Sequence, residues 1–310
     1  MPRSRWQTEI EQLRRDNRSG AAEIEMRATE LLLDTIGEAV PGDNLHNYRR
    51  WLAQLGRDLV AAQPAMAGLF RLVNDLLWAC ASAPSAEAMR QCALTFLQEH
   101  RARNAAALEA AAQHAAALLA PYGTLMTYSR STTVLRALTL WARGRRQARV
   151  LCSEARPMLE GQTLASELGW AGIEVTLGVD MALFGWLAEA QALVLGADSL
   201  SVTGVVNKIG SAELVRAAAA LGLPRFVVCT TAKFLPSDYL LDPCLRAGDP
   251  EEIMPVSNKN ITVRNIYFDL TPLDLVSAVI TEEGALEPAS LRERLAPLQV
   301  YPGLRGKRVS

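Results

Sequence analysis

The stretch ALVLGAD at residues 192–198 begins with four apolar residues and ends on the carboxylate of Asp198. A short apolar run followed by a turn residue is typical of a strand that is buried on both faces. Further on, the segment NKIGS at residues 207–211 leads into a helical pattern that starts at Ser211. A buried strand, a polar connection and a helix form the unit from which parallel α/β sheets are built. The stretch therefore predicts an α/β fold.

Similar apolar runs lie on both sides of this one and alternate with segments of helical length. We expect strands at residues 124–128, 148–152, 173–177, 192–195, 225–229 and 265–268. Continuous apolar runs are typical of parallel strands that are covered by helices on both faces. Residues 122–310 are therefore expected to form a Rossmann-like, doubly wound parallel sheet domain. Because ligands of such sheets bind beyond the carboxyl ends of the strands, the residues after each strand are the first candidates for a site.

Residues 1–121 show helical spacing of apolar residues and almost no strand pattern. Amphipathic stretches cover residues 21–36 and 44–62. Ser85 is a suitable N-cap for a last helix that continues to about Leu119. We expect a helical N-terminal domain that ends at residue 121.

Composition argues against several classes of function. Acidic and basic residues nearly balance in this chain of 310 residues, with a formal net charge of −1, so no nucleic-acid partner is expected. The five cysteines form no C-x-x-C pair and there are three histidines, which predicts no metal site. No cofactor is expected either. The chain has no run of eighteen apolar residues and no apolar leader segment, so a cytoplasmic protein without membrane association is expected.

Polar side chains follow the first three predicted strands. Thr127 lies at the end of the first strand and Arg130 follows it, close to a helix start, and they form either an anion cradle or an ordinary cap with a solvated arginine. Arg156, after the second strand, either binds a phosphate with its guanidinium or pairs with a glutamate on the surface. Asp180, after the third strand, is either a sugar ligand or a helix cap.

The carboxylate after the fourth strand points more strongly to a site. Asp198 follows a fully apolar run, where a carboxylate must be paired or functional. Asn207 and Lys208 stand before the next helix. This combination is typical of a site for an anionic, polyhydroxylated ligand, such as a phosphorylated sugar or a nucleotide. The alternative is an ion pair between Asp198 and Lys208 that only holds the loop.

Residues 196–211, GADSLSVTGVVNKIGS, resemble the central motif of one protein family. It comprises the alpha, beta and delta subunits of eukaryotic translation initiation factor 2B, methylthioribose-1-phosphate isomerase and archaeal ribose-1,5-bisphosphate isomerase. Residues 154–168 and the segment NIYFDLTP at residues 265–272 resemble two further family segments in the same order. The resemblance implies a helical N-terminal domain, a Rossmann-like C-terminal domain and a homodimer built through the latter.

The resemblance also implies chemistry, position by position. The isomerases of the family use a cysteine after the first strand and the aspartate of the GAD motif as an acid/base pair. Asp198 matches that aspartate, whereas the cysteine position falls on Ser129. A serine hydroxyl has a far higher pKa than a thiol and is a poor proton donor or acceptor near neutral pH. The arginine of the isomerases' phosphate-binding segment corresponds to Arg18, with a serine inserted after it.

Three functional hypotheses follow. The first is a factor-2B-like protein that binds a sugar phosphate or nucleotide at the strand ends without turnover, in a regulatory role. The second is an aldose–ketose isomerase for a ribose-1-phosphate-type substrate, in which Asp198 keeps its acid/base role. The third is a structural subunit of a translation-factor-like assembly. Ser129 at the cysteine position favours the first over the second, and retention of Asp198, Asn207 and Lys208 together favours it over the third. Whether the chain is an enzyme stays open.

Overall fold

Helices come first in the computed structural model, which describes residues 5–16, 19–39, 44–64, 66–239, 247–255 and 258–305. Before the first strand these residues form α1 Arg5–Arg15, α2 Ala21–Glu38, α3 Leu45–Ala62, α4 Ala67–Ala79 and α5 Ala86–Leu118. The hydroxyl of Ser85 accepts the backbone N–H of Ala88 and caps α5. The predicted N-cap is thereby confirmed, and the helix ends next to Leu119, as expected.

Strands alternate with helices from residue 124 onwards. The strands are β1 Thr124–Thr127, β2 Arg149–Ser153, β3 Glu174–Gly178, β4 Ala192–Leu195, β5 Ser199–Ser201, β6 Gly204–Lys208, β7 Arg225–Val228, β8 Phe268–Thr271, β9 Ala278–Thr281 and β10 Gly284–Leu286. The helices are α6 Thr132–Ala142, α7 Glu160–Trp170, α8 Ala182–Trp186, α9 Ser211–Ala220 and α10 Pro288–Leu295. The main sheet has the order β10-β9-β7-β4-β1-β2-β3, in which β10 is the antiparallel edge strand. Its parallel strands, counted along the chain, follow the order 3-2-1-4-5-6 of doubly wound sheets, which confirms the predicted fold class.

The sixth parallel strand is not the one that the sequence predicts. The prediction at residues 265–268 is wrong, because the sixth position is occupied by β9, which is buried throughout. The predicted run leads instead into β8, which pairs antiparallel with β6 in a separate sheet of β5, β6 and β8. Asp269 and Leu270 of β8 are only partly buried, as is typical of an antiparallel strand with one open face. A short apolar run does not specify which sheet it joins.

Different helices cover the two faces of the main sheet. The second half of α5 packs with α6 and α7 on the face that carries Leu125 and Val150, whereas α8 and α9 pack on the face of Met126 and Leu151. This two-sided burial accounts for the continuous apolar runs. The first half of α5 belongs to a separate core with α2, α3 and α4. Within the part of the chain that the structure describes, no helix combines the length and apolar character needed to cross a membrane.

The sheet changes direction between β1 and β4. From β1 the chain builds outward through β2 and β3, and from β4 it builds the other way through β7 and β9. A crevice forms beyond the carboxyl ends of the strands at such a switch point. Gly196, directly after β4, lies against the start of α6, where an added Cβ would come within 2.6 Å of the Cβ of Ser131. A larger residue would therefore push the loops after β1 and β4 apart.

Candidate functional site

A cavity of about 110 Å³ lies at the switch point of the sheet. Its walls come from the start of α2, the loop after β1, the start of α7, the loop after β4, the end of β6 and the loop after β7. The polar side chains that line it include Ser129, Arg130, Ser131, Thr132, Thr133, Glu160, Asp198, Asn207, Lys208 and Lys233. The chain has four lysines, and two buried ones line this cavity. The cavity therefore offers positive charge to an anion.

Glu160, the first residue of α7, connects two of these side chains. Its Oε1 accepts a hydrogen bond from Oγ of Ser129 at 2.7 Å, and Nζ of Lys208 lies 2.7 Å from the same oxygen. The side chains of Glu160 and Lys208 are 16% and 9% exposed, so the ion pair is largely buried. The alternative expected from the sequence is an ion pair between Asp198 and Lys208. The structure shows Lys208 paired with Glu160 instead.

The backbone around this contact adopts an uncommon conformation. Ser129 has a φ of 65° and Leu159, just before Glu160, has a φ of 61°. Non-glycine residues seldom adopt this left-handed region, which costs on the order of 1–3 kcal/mol for each residue. Gly161 lets α7 approach β2 closely, since an added Cβ would lie 1.8 Å from the carbonyl oxygen of Ser153. The surrounding packing thus holds Ser129 and Glu160 against each other.

Lys233, the second buried lysine of the cavity, contacts a carboxylate of the N-terminal helices. Nζ of Lys233, after β7, lies 3.9 Å from Oε2 of Glu25 on α2. Oε1 of Glu25 lies 3.1 Å from Nε2 of His100 and accepts a hydrogen bond from Asn104, both on α5. Burial raises the pKa of Glu25, but the hydrogen bond with His100 and the charge of Lys233 together outweigh burial, so the pKa lies below its ordinary value. A buried carboxylate therefore links α2 and α5 to the cavity wall.

Asp198 lies in the loop directly after β4 and lines the cavity. Its backbone N–H donates to the carbonyl of Val206 at 2.9 Å, and its own carbonyl accepts the N–H of Ala67 at 3.2 Å. These bonds hold the loop against β6 and against the start of α4. The predicted site residues that this cavity brings together are Ser129, Arg130, Asp198, Asn207 and Lys208.

Arg130 lines the cavity but is already engaged. Its Nε and Nη2 atoms each donate to the carboxylate of Glu167 on α7 at 2.8 Å. This two-bond ion pair orients the guanidinium, so the arginine is not simply solvated. Thr127, the last residue of β1, is 1% exposed and is not among the residues that line the cavity. Arg18 lies outside the described residues.

Arg156 and Asp180 line a second cavity, of about 440 Å³. The carboxylate of Asp180 accepts the backbone N–H groups of Ala155 and Arg156, each at 2.8 Å. It therefore holds the loop after β2 rather than capping α8, whose N-cap position is Met181. The guanidinium of Arg156 donates to the carbonyl of Glu252 at 3.4 Å. The structure thus places these two predicted ligand residues at a different cavity from Asp198.

Asp269 on β8 holds the start of α9. Its Oδ2 accepts the backbone N–H groups of Gly210 at 2.7 Å and Ala212 at 3.2 Å. Burial raises the pKa of Asp269 to about 6, against the two N–H donors, which lower it. Because β6 leads directly into α9, this cap also holds the end of β6, where Asn207 and Lys208 stand.

The predicted site residues do not include Glu160 or Lys233. The sequence could have indicated Lys233, because this residue follows closely after the carboxyl end of a predicted strand. It gives no such indication for Glu160, which begins a helix after a longer loop. Cys229 also lines the cavity, and burial raises the pKa of its thiol to about 12, so it stays protonated at neutral pH. Among the described residues, no group of three or more histidine, cysteine, aspartate or glutamate side chains is arranged to hold a metal ion.

The profile of the Initiation factor 2 subunit family matches residues 17–288. The chain belongs to this family. Ribose 1,5-bisphosphate isomerase of Archaeoglobus fulgidus is 28% identical over 273 residues, which cover 87% of this chain and 85% of the relative. The 5-deoxyribose 1-phosphate isomerase of Moorella thermoacetica is 31% identical over 261 residues, covering 74% of this chain and 71% of the relative. The solved translation initiation factor eIF-2B of Pyrococcus horikoshii matches with a TM-score of 0.75 and 26% identity, covering 93% of this chain and 98% of the other.

These three relatives carry names of two kinds, sugar-phosphate isomerases and a translation factor. The isomerase names support the isomerase hypothesis at least as well as the binding without turnover that the sequence favours. The names alone do not separate the two hypotheses, so the choice between them rests on the side chains of the cavity.

Proposed function

We propose that this member of the Initiation factor 2 subunit family binds a phosphorylated ribose derivative and converts it from an aldose to a ketose. The observation that carries the proposal is one cavity at the switch point of the sheet, in which Asp198 lies with the buried Lys208 and Lys233. Ammonium groups bind phosphate as point charges, and a carboxylate can transfer the protons of a sugar. The isomerase names of the relatives support the same reaction class.

The phosphate is held by the two lysines together with the start of α2. Residues 19–22 line the cavity, and the N-cap position is Gly20, which has no side chain that could cap the helix. The first backbone N–H groups of an α-helix have no partner within the helix, and the helix dipole favours an anion beside them. A phosphate at this position meets N–H donors and ammonium groups in the same cavity.

The reaction of a ribose 1-phosphate moves one hydrogen from C2 to C1. An acid protonates the ring oxygen and the bond from this oxygen to C1 breaks, while a base removes the C2 proton and leaves an enol between C1 and C2. A proton is then added to C1 and the C2 hydroxyl loses its proton, so that C2 becomes a ketone and C1 keeps its phosphate. Asp198 is the acid for the ring oxygen and afterwards the base for the hydroxyl.

Binding without turnover is the second candidate function, with the ligand acting as a regulator. The observation that favours it is Ser129 at the position of the family's cysteine. A serine hydroxyl is a weaker acid than a thiol and seldom ionises near neutral pH. In this case Asp198 and the two lysines hold the sugar phosphate and carry out no proton transfer to carbon.

A ligand panel tests both candidates. Thermal unfolding is followed with ribose 1-phosphate, ribose 1,5-bisphosphate, methylthioribose 1-phosphate and a nucleoside monophosphate, and each stabilising compound is then incubated with the protein and followed by ³¹P NMR. A ligand at a hundred times its Kd stabilises the fold by about 2.7 kcal/mol. A ketose phosphate product supports the isomerase, and stabilisation without product supports the regulatory role. No stabilisation by any compound contradicts both and favours a structural subunit.

We also propose that the chain forms a homodimer through its α/β domain, as the family resemblance implies. Val179, Met181 and Ile253 are apolar yet 61%, 74% and 42% exposed, and Met181 and Ile253 border the second cavity. Clustered exposed apolar side chains mark interaction surfaces. Light scattering should give the mass of two chains for the wild type and of one chain for Met181→Asp. A wild type with the mass of one chain contradicts the proposal.

A further inference from the structure

We propose that Glu160 is the second catalytic acid/base of this cavity and takes the role that the cysteine has in the family's isomerases. The inference rests on the proposed isomerase function, because it names the group that moves the proton between C2 and C1. It goes beyond the family pattern, in which a thiol does this work. Three features of the structure carry it: the contact with Ser129, the surroundings of the two carboxylate oxygens, and the state of the neighbouring groups.

Glu160 lies next to the position that the resemblance gives to the thiol. That position is Ser129, whose hydroxyl donates to Oε1 of Glu160 at 2.7 Å. Both residues line the cavity. The carboxylate is therefore one hydrogen bond away from the place at which the cysteine would meet the substrate. A shift of the proton-transfer role from residue 129 to residue 160 needs only a small displacement of the reacting atom.

The two oxygens of Glu160 have different surroundings. Oε1 is shared by the hydroxyl of Ser129 and the ammonium of Lys208. Oε2 is buried and has no hydrogen-bond donor within the described ranges. An ionised carboxylate can accept at both oxygens, so the contacts on Oε1 hold the group in place while the lone pairs of Oε2 stay available. Because Oε2 has no accessible surface, it receives a proton from carbon after the carboxylate turns about its Cγ–Cδ bond toward the cavity.

Other titratable groups near the cavity are less suited to the task. Burial raises the pKa of Cys229 to about 12, so this thiol stays protonated at neutral pH. Glu25 is bound by His100 and Asn104, and its side chain is not among those that line the cavity. Asp198 already serves the ring oxygen and the C2 hydroxyl in the proposed reaction. Glu160 also lines the cavity, and it has no other role in the proposed reaction.

The proton transfer balances without any co-reactant. As the bond between the ring oxygen and C1 breaks, Oε2 takes the C2 proton and the electron pair of the C2–H bond forms the C1–C2 double bond. Oε2 then returns this proton to C1, and the enol hydroxyl gives its proton to Asp198. Both carboxylates end in their starting states. Ser129 and Lys208 are positioning residues, because their contacts with Oε1 hold the carboxylate of Glu160 in place.

The test compares Glu160→Gln, Ser129→Cys and the double variant that carries both changes. Glu213→Gln is the matched control, because Glu213 is an exposed glutamate on α9 that pairs with Arg216. The probes are ribose 1,5-bisphosphate and methylthioribose 1-phosphate, with kcat and KM from ³¹P NMR and binding from thermal shift. Because a general acid/base contributes on the order of 10²–10⁴ in rate, Glu160→Gln should lower kcat by that factor with KM nearly unchanged. A thiol supplied by Ser129→Cys should restore turnover in the double variant.

Each other outcome has a defined meaning. A Glu160→Gln protein with kcat close to that of the wild type overturns the inference. Loss of ligand binding together with turnover, without recovery in the double variant, shows a structural role and overturns it as well. An inert wild type beside an active Ser129→Cys protein shows that Glu160 does not replace the thiol. If neither of these two proteins turns over a probe, the proposed isomerase function itself fails, and the inference falls with it.

Discussion

The Nζ of Lys233 and the Oε2 of Glu25 lie 3.9 Å apart, and this contact joins a loop of the α/β region to a helix of the N-terminal region. Both side chains are buried, at 9% and 6% exposure. Lys233 lines the candidate cavity, whereas Glu25 stands behind it with His100 and Asn104. The helical region therefore supports the cavity electrostatically as well as by packing.

Replacement of Glu25 by Gln should lower the free energy of unfolding by about 3 kcal/mol at neutral pH, because Lys233 loses its buried counterion. The lowered pKa of Glu25 sets the sign of the pH dependence. Its stabilisation is complete above the ordinary glutamate pKa of about 4.3 and is lost as the pH falls below that value. Urea unfolding of the wild type and the variant, at neutral pH and at about pH 3, measures how much stability the variant loses at each pH. The exposed Glu99→Gln on α5 is the control. If Glu25→Gln loses the same amount of stability relative to the wild type at both pH values, the prediction is contradicted.

Lys233→Met should weaken the binding of a phosphorylated ribose. Removal of a hydrogen bond to a charged group costs roughly 1.5–3 kcal/mol, which is about a ten- to hundredfold increase in Kd. Lys259→Met is the matched control, because Lys259 is an exposed lysine outside the cavity. Isothermal titration calorimetry with ribose 1,5-bisphosphate gives the Kd of each variant. Equal Kd values for the two variants would exclude Lys233 from the binding site.

Lys208→Ala should weaken the same binding by roughly 1.5–3 kcal/mol, and it also leaves the carboxylate of Glu160 without its ion-pair partner. The double variant Lys208→Ala with Glu160→Gln removes that second effect. If it binds as weakly as the single variant, the loss comes from the missing ammonium–phosphate contact. Recovery of wild-type affinity in the double variant would mean that Lys208 holds Glu160 and does not bind the ligand.

Asp198→Asn should abolish turnover while the protein still binds ligand, because an amide cannot exchange the proton that the ring oxygen and the C2 hydroxyl require. The measurement is the rate of product formation by ³¹P NMR at saturating ribose 1,5-bisphosphate. The thermal shift given by the same compound serves as the binding control. Turnover at the wild-type rate would remove Asp198 from the acid/base role.

Asp269→Asn should change how stability depends on pH. Burial raises the pKa of Asp269 from 3.8 to about 6, so the folded chain holds this proton more tightly than the unfolded chain. Stability therefore falls as the pH rises through this window. Relative to the variant, the wild type should lose at most about 2 kcal/mol between about pH 4 and about pH 6, because solvent screens part of the effect at this partly exposed carboxylate. Urea unfolding at several pH values measures this, and parallel curves for the two proteins would contradict it.

Much of the fold is predictable from local pattern. Apolar runs bounded by turn residues mark five of the six parallel strands, and the Ser85 cap marks the start of α5. The sixth strand is the exception. The run at residues 265–268 leads into β8, which has an antiparallel partner in β6, and an apolar run has the same appearance in either sheet.

The sequence alone is enough to place Asp198 near the ligand edge of the sheet, because all parallel strands point their carboxyl ends to that edge. Lys208 ends β6 of the separate antiparallel sheet, so its place beside that edge is decided by the tertiary structure. The sequence could not show that Glu160 pairs with Lys208 and that Glu25 stands behind Lys233. Those distances depend on how the start of α7 meets β2 and how the N-terminal helices pack beside the sheet. Contacts between residues so far apart along the chain follow from packing, and no local spacing encodes them.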